Sequence, residues 1–314
     1  RTYPTHCIPS PNGGCDQVMA SHSGFWPTLL QSLSCRPEAL GCRTSCSCKQ
    51  SDGLSSIFKK LSSPWSAATT EQDDAESSGD DDAVLEWKPP VLYADGSRYT
   101  GQWKGAVWHG EGQLERADGG IYEGFFKEGK PHGYGCLTAA DGSVYKGDWR
   151  HGRAHGSGRH TKAGGAGTYE GQWVEDQRSG IGREEWADRC HYRGSYLKGV
   201  KHGHGFYQTP EGASYNGEFH SDQMHGEGVY KFADGRVFSG AFRFGHMTGH
   251  GRMSWPSGAT YEGQYVKDEK HGTGAYRWPD GRVYEGQWLR GQKHGQGTLY
   301  NVDGSCVSGT WRHG

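Results

Sequence analysis

From about residue 84 onward, apolar and polar positions alternate in short segments. Tyr99, Gly101 and Trp103 alternate with Thr100 and Gln102, and the same arrangement returns every 23 residues. Strict alternation marks a strand with one buried face. Segments of the form aromatic-x-Gly-x-aromatic begin at Tyr99, Tyr122, Tyr145, Tyr169, Tyr192, Tyr215, Phe238, Tyr261 and Tyr284, with a degenerate tenth at Val307. Ten residues after each leading aromatic stands His-Gly-x-Gly, as at His109, Gly110 and Gly112. An often apolar residue follows two further on, such as Leu114, Leu137, Tyr207, Tyr230, Met253, Tyr276 or Leu299. Each unit therefore predicts two strands that set glycines and large apolar groups on one face and polar groups on the other.

Turn chemistry divides the units. Asp95-Gly96, Asp118-Gly119, Asp141-Gly142, Asp234-Gly235, Asp280-Gly281 and Asp303-Gly304 lie between them, and Asp-Gly is a strong hairpin signal because both residues tolerate positive φ. Within units the bend carries Gly129, Gly152, Gly199, Gly245 and Gly291, replaced by Asp176, Asp222 and Asp268. One interval is 24 residues, and its extra residue falls at 162–167, where a longer turn leaves the strands in register.

These features predict an all-β chain: a single-layer, twisted antiparallel array of β-hairpin repeats, a solenoid-like ribbon of about twenty strands. At ~4.8 Å per strand it extends roughly 90 Å. Twist is expected to curl the aromatic face into a groove.

Residues 1–83 read differently. They are rich in Ser, Cys, Pro and acidic residues, end in the run Asp73, Asp74, Glu76, Asp80, Asp81 and Asp82, and predict disorder. Leu54, Ile57, Phe58 and Leu61 have the spacing of a short amphipathic helix at 54–61. The domain division is 1–83 and 84–314, with nine full repeats and a partial one in the second part.

Composition supports a thin β-structure. Residues of the hydrophobic class make up 32% of the chain and aromatics 12%, beside 53 glycines, which suits rings lying over glycine positions. The net charge is −2; residues 1–83 hold 6 Lys/Arg against 10 Asp/Glu, leaving 28 against 26 for the array. That balance gives no bulk reason to seek nucleic acid. No apolar run approaches the roughly 20 residues of a membrane-spanning helix, and the array is read as cytoplasmic.

The recurring Tyr-x-Gly-x-Trp, His-Gly-x-Gly and Asp-Gly elements resemble the MORN (membrane occupation and recognition nexus) family over residues 92–314. Departures are Ser179 and Thr248 at the histidine position, Asp188-Arg189 and Ser257-Gly258 in the turn, and Tyr196 and Tyr265 at the tryptophan position. The resemblance implies a binding or organising role in cytoskeletal, ciliary or membrane-associated assemblies, or as the regulatory region of a phosphatidylinositol-phosphate kinase-like protein.

Candidate chemistry is sparse. His109, His132, His155, His202, His225, His271 and His294 recur two strands apart, about 9–10 Å, too far to share one zinc ion. Their expected job is a ring nitrogen bonding a neighbouring backbone group. Cys42, Cys46 and Cys48 resemble half a metal cluster with no second half. No catalytic residues are assigned; Glu184 and Glu185 are read as solvated carboxylates. Neither a metal nor a cofactor is expected. The candidate partner-binding groove is the aromatic ladder of Tyr99, Trp103, Tyr122, Phe126, Tyr145, Trp149, Tyr169, Trp173, Tyr215, Phe219, Tyr261, Tyr284 and Trp288. A single-layer sheet has no second layer to cover such a face. The expected occupant is an amphipathic helix of a protein partner, and an acidic phospholipid surface is the alternative.

Overall fold

The computed structural model describes residues 84–312 and Gly314. The expected N-terminal disorder, the helix at 54–61 and the three clustered cysteines lie outside the described residues. Twenty antiparallel strands form one sheet. The described chain divides into two compact units, 84–202 and 203–314. A leading strand, Glu86–Leu92, precedes the first repeat. Each repeat is then a hairpin whose first strand carries the leading aromatic and whose second carries His-Gly-x-Gly, as in Arg98–Lys104 with Val107–Glu115. The partial tenth unit supplies the last strand, Cys306–Trp311.

The two kinds of turn differ in a way the dipeptides did not reveal. Between repeats, Tyr93 N–H donates to Ser97 O at 2.8 Å and Gly96 N–H to Tyr93 O at 3.0 Å. Of the Asp-Gly pair only Gly96 has positive φ, at 87°. This is a three-residue loop ending in a left-handed glycine. Asp95 keeps ordinary φ and serves by its side chain, accepting from Ser97 N–H at 2.9 Å. Both residues tolerate positive φ, but only the glycine adopts it. The mirror-image turns lie inside the repeats, where Glu128-Gly129, His151-Gly152 and Lys198-Gly199 hold φ above zero at both residues.

The His-Gly-x-Gly motif marks a bulge. Gly101 pairs with Gly112 and Trp103 with Trp108, so Gln102 alone stands opposite His109, Gly110 and Glu111. Gly110, at φ 70°, takes up the extra chain in a left-handed conformation. The displaced N–H of Glu111 would have no ladder partner, and the Gln102 side-chain oxygen accepts it at 2.8 Å. Asp148 does the same for Ser157 at 2.8 Å, and Gln264 for Thr273 at 3.0 Å.

Consecutive repeats are also tied at the inner turns. In the unit 84–202, Gly129 N–H donates to Trp108 O and Gly152 N–H to Pro131 O, each at 2.9 Å. In the unit 203–314, Gly245 donates to Met224 O and Gly291 to Lys270 O at the same distance. The extra residue of the 24-residue interval is absorbed by a short 3-10 turn, Ala163–Gly165, and the flanking strands stay paired from Thr161 with Thr168 onward.

Candidate partner-binding face

The face begins with a tyrosine lying over a glycine. Gly101 and Gly112 are cross-strand partners, and a β-carbon on Gly112 would come within 2.8 Å of the Tyr99 ring. The second glycine of the motif thus makes room for the ring, whereas the first makes the bulge. The ring folds along its own strand, and its hydroxyl donates to the carbonyl three residues on. Tyr99 reaches Gln102 O at 2.9 Å, Tyr145 Asp148 O at 2.9 Å, Tyr215 Glu218 O at 2.9 Å and Tyr284 Gln287 O at 3.1 Å. Phe238 fills the same place without a hydroxyl.

Within each unit, and after its first repeat, the second aromatic packs edge-on against two leading aromatics, its own and that of the preceding repeat. Phe126 meets Tyr122 at 5.0 Å and Tyr99 at 5.1 Å between ring centres; Trp173 meets Tyr169 at 5.1 Å and Tyr145 at 5.2 Å. In the unit 203–314, Trp288 meets Tyr284 at 5.4 Å and Tyr261 at 5.1 Å. Edge-to-face geometry at these separations is the favoured arrangement for aromatic pairs. Within each unit the rings form an unbroken ladder.

All thirteen residues assigned to the groove lie on this ladder, and all are buried. Tyr99, Tyr215, Tyr261 and Tyr284 have no exposed surface, and Trp103, the most open, shows 8%. The rings close over one another, so a sheet face with no second layer among the described residues is sealed by its own side chains. Tyr192, Tyr196, Phe238, Phe242 and Tyr265 belong to the same ladder. The 23-residue period, applied to every unit, points to them as well.

Aromatics that stand partly open are a different set. Trp108 stacks on Tyr99 at 4.6 Å with 12° between planes, and Tyr276 lies 5.7 Å from Trp255 and 4.8 Å from Trp278. Trp108, Trp255, Tyr276 and Trp278 are all half-buried. The three tryptophans sit off the leading-aromatic pattern, and their irregular occurrence was the available signal.

A MORN repeat family model matches nine consecutive segments, 99–121, 122–144, 145–166, 169–191, 192–214, 215–235, 238–260, 261–281 and 284–306, well over half of the chain. The chain belongs to the MORN repeat family. No curated protein matches it. Among solved structures, the MORN array is similar to the TCP10 domain of Danio rerio CPAP in complex with a STIL peptide, at 12% identity over 73% of this chain and 99% of that one, TM-score 0.24. The CPAP G-box domain gives 10% identity, 71% and 99% coverage and a TM-score of 0.27, and a streptogramin B lyase 10%, 72%, 83% and 0.17. Similarity at this level carries no argument about partners.

Cations interrupt the apolar lining of the MORN array. Arg178 and Glu184 are both buried and pair at 2.7 Å; Tyr196 hydroxyl donates to the same carboxylate at 3.1 Å, and Arg178 also donates to Gly199 O at 2.9 Å. Glu184 is therefore an internal ion-pair partner, correcting its reading as a solvated carboxylate; Glu185 is exposed. The Arg178 guanidinium lies over the rings of Tyr169 and Tyr196. Lys270 lies 4.2 Å from the centre of the Trp288 ring, and burial, with Lys293 nearby, brings its pKa down to about 8.

The motif histidines line the strand ends near the inner turns. His132 contacts the His151 ring at 5.7 Å and His225 the His220 ring at 5.5 Å. The expected bond from ring to backbone is not what His225 makes: its Nδ1 is buried without a hydrogen-bond partner. Among the described residues no group of three or more His, Cys, Asp or Glu side chains is placed to hold a metal ion, and no helix is long and apolar enough to cross a membrane.

Proposed function

We propose that this MORN array is a non-catalytic docking scaffold that receives an amphipathic helix of a protein partner on its aromatic face, in a cytoskeletal, ciliary or membrane-associated assembly. The observation that carries this reading is the half-buried cluster of Trp255, Tyr276 and Trp278 standing on a sealed ladder. Rigid Trp and Tyr rings are the residues most often found to dominate binding energy, because they give large contact area at small entropic cost. Arg236 over the Phe232 ring at 4.4 Å and Arg282 over Trp278 at 5.3 Å add charged groups at the same place. In this reading the thirteen ladder residues shape and stiffen the groove, and the open indoles make the contact.

The test follows from that division. Replacing Trp149 or Trp173 with Ala removes core and reports on folding. Partner capture by the full chain is instead compared with the Trp255→Gln, Trp278→Gln double variant at matched unfolding midpoint. Loss of capture supports the proposal; undiminished capture rejects it.

A second reading, attachment to an acidic phospholipid surface, is favoured by three successive inner turns of the unit 203–314. Phe244, Val266 and Leu289 are 57%, 48% and 37% exposed there, beside Arg243, Lys267 and Arg290, with Asp268 and Glu269 the acids of the middle turn. Phe244 holds φ at 51°, a costly conformation for a bulky residue. Exposed apolar side chains among basic ones suit an anionic interface. Co-sedimentation with anionic vesicles that fades with salt and with Phe244→Ser supports this reading, and no pelleting at low salt retires it.

A further inference from the structure

The inner turns of the first three repeats form a basic edge. Lys104, Lys127, Lys130, Arg150 and Arg153 stand at or beside them, against the carboxylates of Glu86, Glu128 and, from the inner turn of the fourth repeat, Glu175 and Asp176. Two of those carboxylates are engaged: Glu175 pairs with Arg153 at 3.0 Å, and Asp176 accepts from Ala154 N–H at 2.7 Å. Two histidines register the local potential. Burial lowers the pKa of His109 first, and Lys104 and Lys127 lower it further against Glu128. His132 is lowered by burial, then by His151, Lys127 and Arg150, again against Glu128. The opposite edge of the same repeats carries the acidic turns of Asp95, Asp118 and Asp141.

The chain enters the array at the basic edge. Glu86 pairs with Trp103, next to the first inner turn, and the Lys88 ammonium donates to Gly105 O at 2.5 Å. One residue before Val84, ahead of Ala83, the sequence reads Asp80, Asp81, Asp82, preceded by Asp73, Asp74 and Glu76, with no Lys or Arg in between. Successive inner turns are about 9–10 Å apart, so Lys104 to Arg150 is roughly 19 Å. Val84 is eleven chain steps beyond Asp73, and extended chain reaches roughly 36 Å over that length.

We propose that the acidic run at 73–82 binds back onto the basic edge formed by Lys104, Lys127, Lys130 and Arg150, covering it with a segment of the same chain. Each exposed ion pair is weak. Tethering supplies the missing affinity, because a short linker gives an effective concentration in the millimolar range. The contact competes with acidic segments of other molecules at this edge and weakens as salt rises. It goes beyond docking on the aromatic face and stands or falls separately.

Zero-length carbodiimide cross-linking of the full chain at low salt, followed by peptide mass spectrometry of the monomer, tests it. The expected products join Asp80, Asp81 or Asp82 to Lys104, Lys127 or Lys130, are suppressed at high salt, and exceed any product at exposed Lys146, which lies on the outer face of the same repeats. In a parallel titration followed by NMR, neutralising all six acids (Asp73→Asn, Asp74→Asn, Glu76→Gln, Asp80→Asn, Asp81→Asn, Asp82→Asn) lowers the His109 and His132 pKa values by several tenths of a pH unit. Cross-links no more frequent at the edge than at Lys146, or histidine pKa values unmoved by the six substitutions, overturns the proposal.

Discussion

The Tyr145 hydroxyl donates to the Asp148 carbonyl at 2.9 Å, and the ring between them lies so close over Gly158 that a β-carbon there would come within 2.7 Å of it. Bond and packing use the same ring, and they lead to separate expectations.

Tyr145→Phe keeps the ring and removes the donor. The carbonyl is left in a part-buried place, and a net loss of about 1 kcal/mol is expected in urea unfolding. Phe238→Tyr is the converse, adding a donor that reaches toward the Ala241 carbonyl, and raises stability by a similar amount.

Gly158→Ala tests the packing. The new methyl group displaces the Tyr145 ring, which is edge-on to Trp149 and Trp173 at 5.1 and 5.2 Å. Overpacking of this kind costs about 1–3 kcal/mol. The thermal midpoint falls, and the near-ultraviolet circular dichroism of the ring ladder weakens with it.

Asp176 makes stability depend on pH. Burial raises its pKa to about 6, against the Ala154 N–H and Arg153, which lower it. A folded pKa above the unfolded value means that the fold prefers the protonated form. The associated stability is fully present below pH ~4 and is lost as pH rises through about 6. Asp176→Asn retains an oxygen for Ala154 N–H and tolerates the left-handed turn. It is expected to be more stable than the parent at pH 7, by up to about 3 kcal/mol, with the difference vanishing near pH 4 in parallel denaturant titrations.

The Arg178–Glu184 pair predicts a non-additive cycle. Arg178→Ala leaves the buried Glu184 carboxylate only the part-exposed Lys162 ammonium at 3.6 Å and the Tyr196 hydroxyl at 3.1 Å, and costs up to about 3 kcal/mol. Arg178→Met combined with Glu184→Leu places the types found at Met224 and Leu137 in those positions, and falls within about 1 kcal/mol of the parent. Chemical denaturation of the single and double variants gives the coupling.

Strand number, hairpin order and the residues of the ladder were legible in the chain because alternation and a 23-residue period are properties of position alone. The absorbed extra residue at 163–165 was legible for the same reason. Other features depend on partners that no local pattern announces. Asp95-Gly96 and Glu128-Gly129 both look like turns, but which one is the mirror-image hairpin depends on strand twist and loop length. Gln102 read as an outward polar residue, although its amide oxygen serves a bulge nine residues later. Glu184 read as solvated because its partner Arg178 stands on the same strand at a position that holds Ala154 or Met224 in other repeats. The ladder was visible, but not its closure: that the rings seal one another and leave Trp255, Tyr276 and Trp278 open follows from three-dimensional packing.

The bond from Gly152 N–H to Pro131 O, with its counterparts at Gly129 and Gly199, involves only main-chain atoms on both sides. The ring contacts between neighbouring hairpins use the same two positions in each repeat, so most joins are interchangeable, apart from those with a side chain of their own such as Asp176 on Ala154 N–H. Duplicating or excising a 23-residue block regenerates the same main-chain join at the new junction, so arrays of this type can lengthen or shorten during evolution with few compensating substitutions, and their span can be adjusted to the distance an assembly requires.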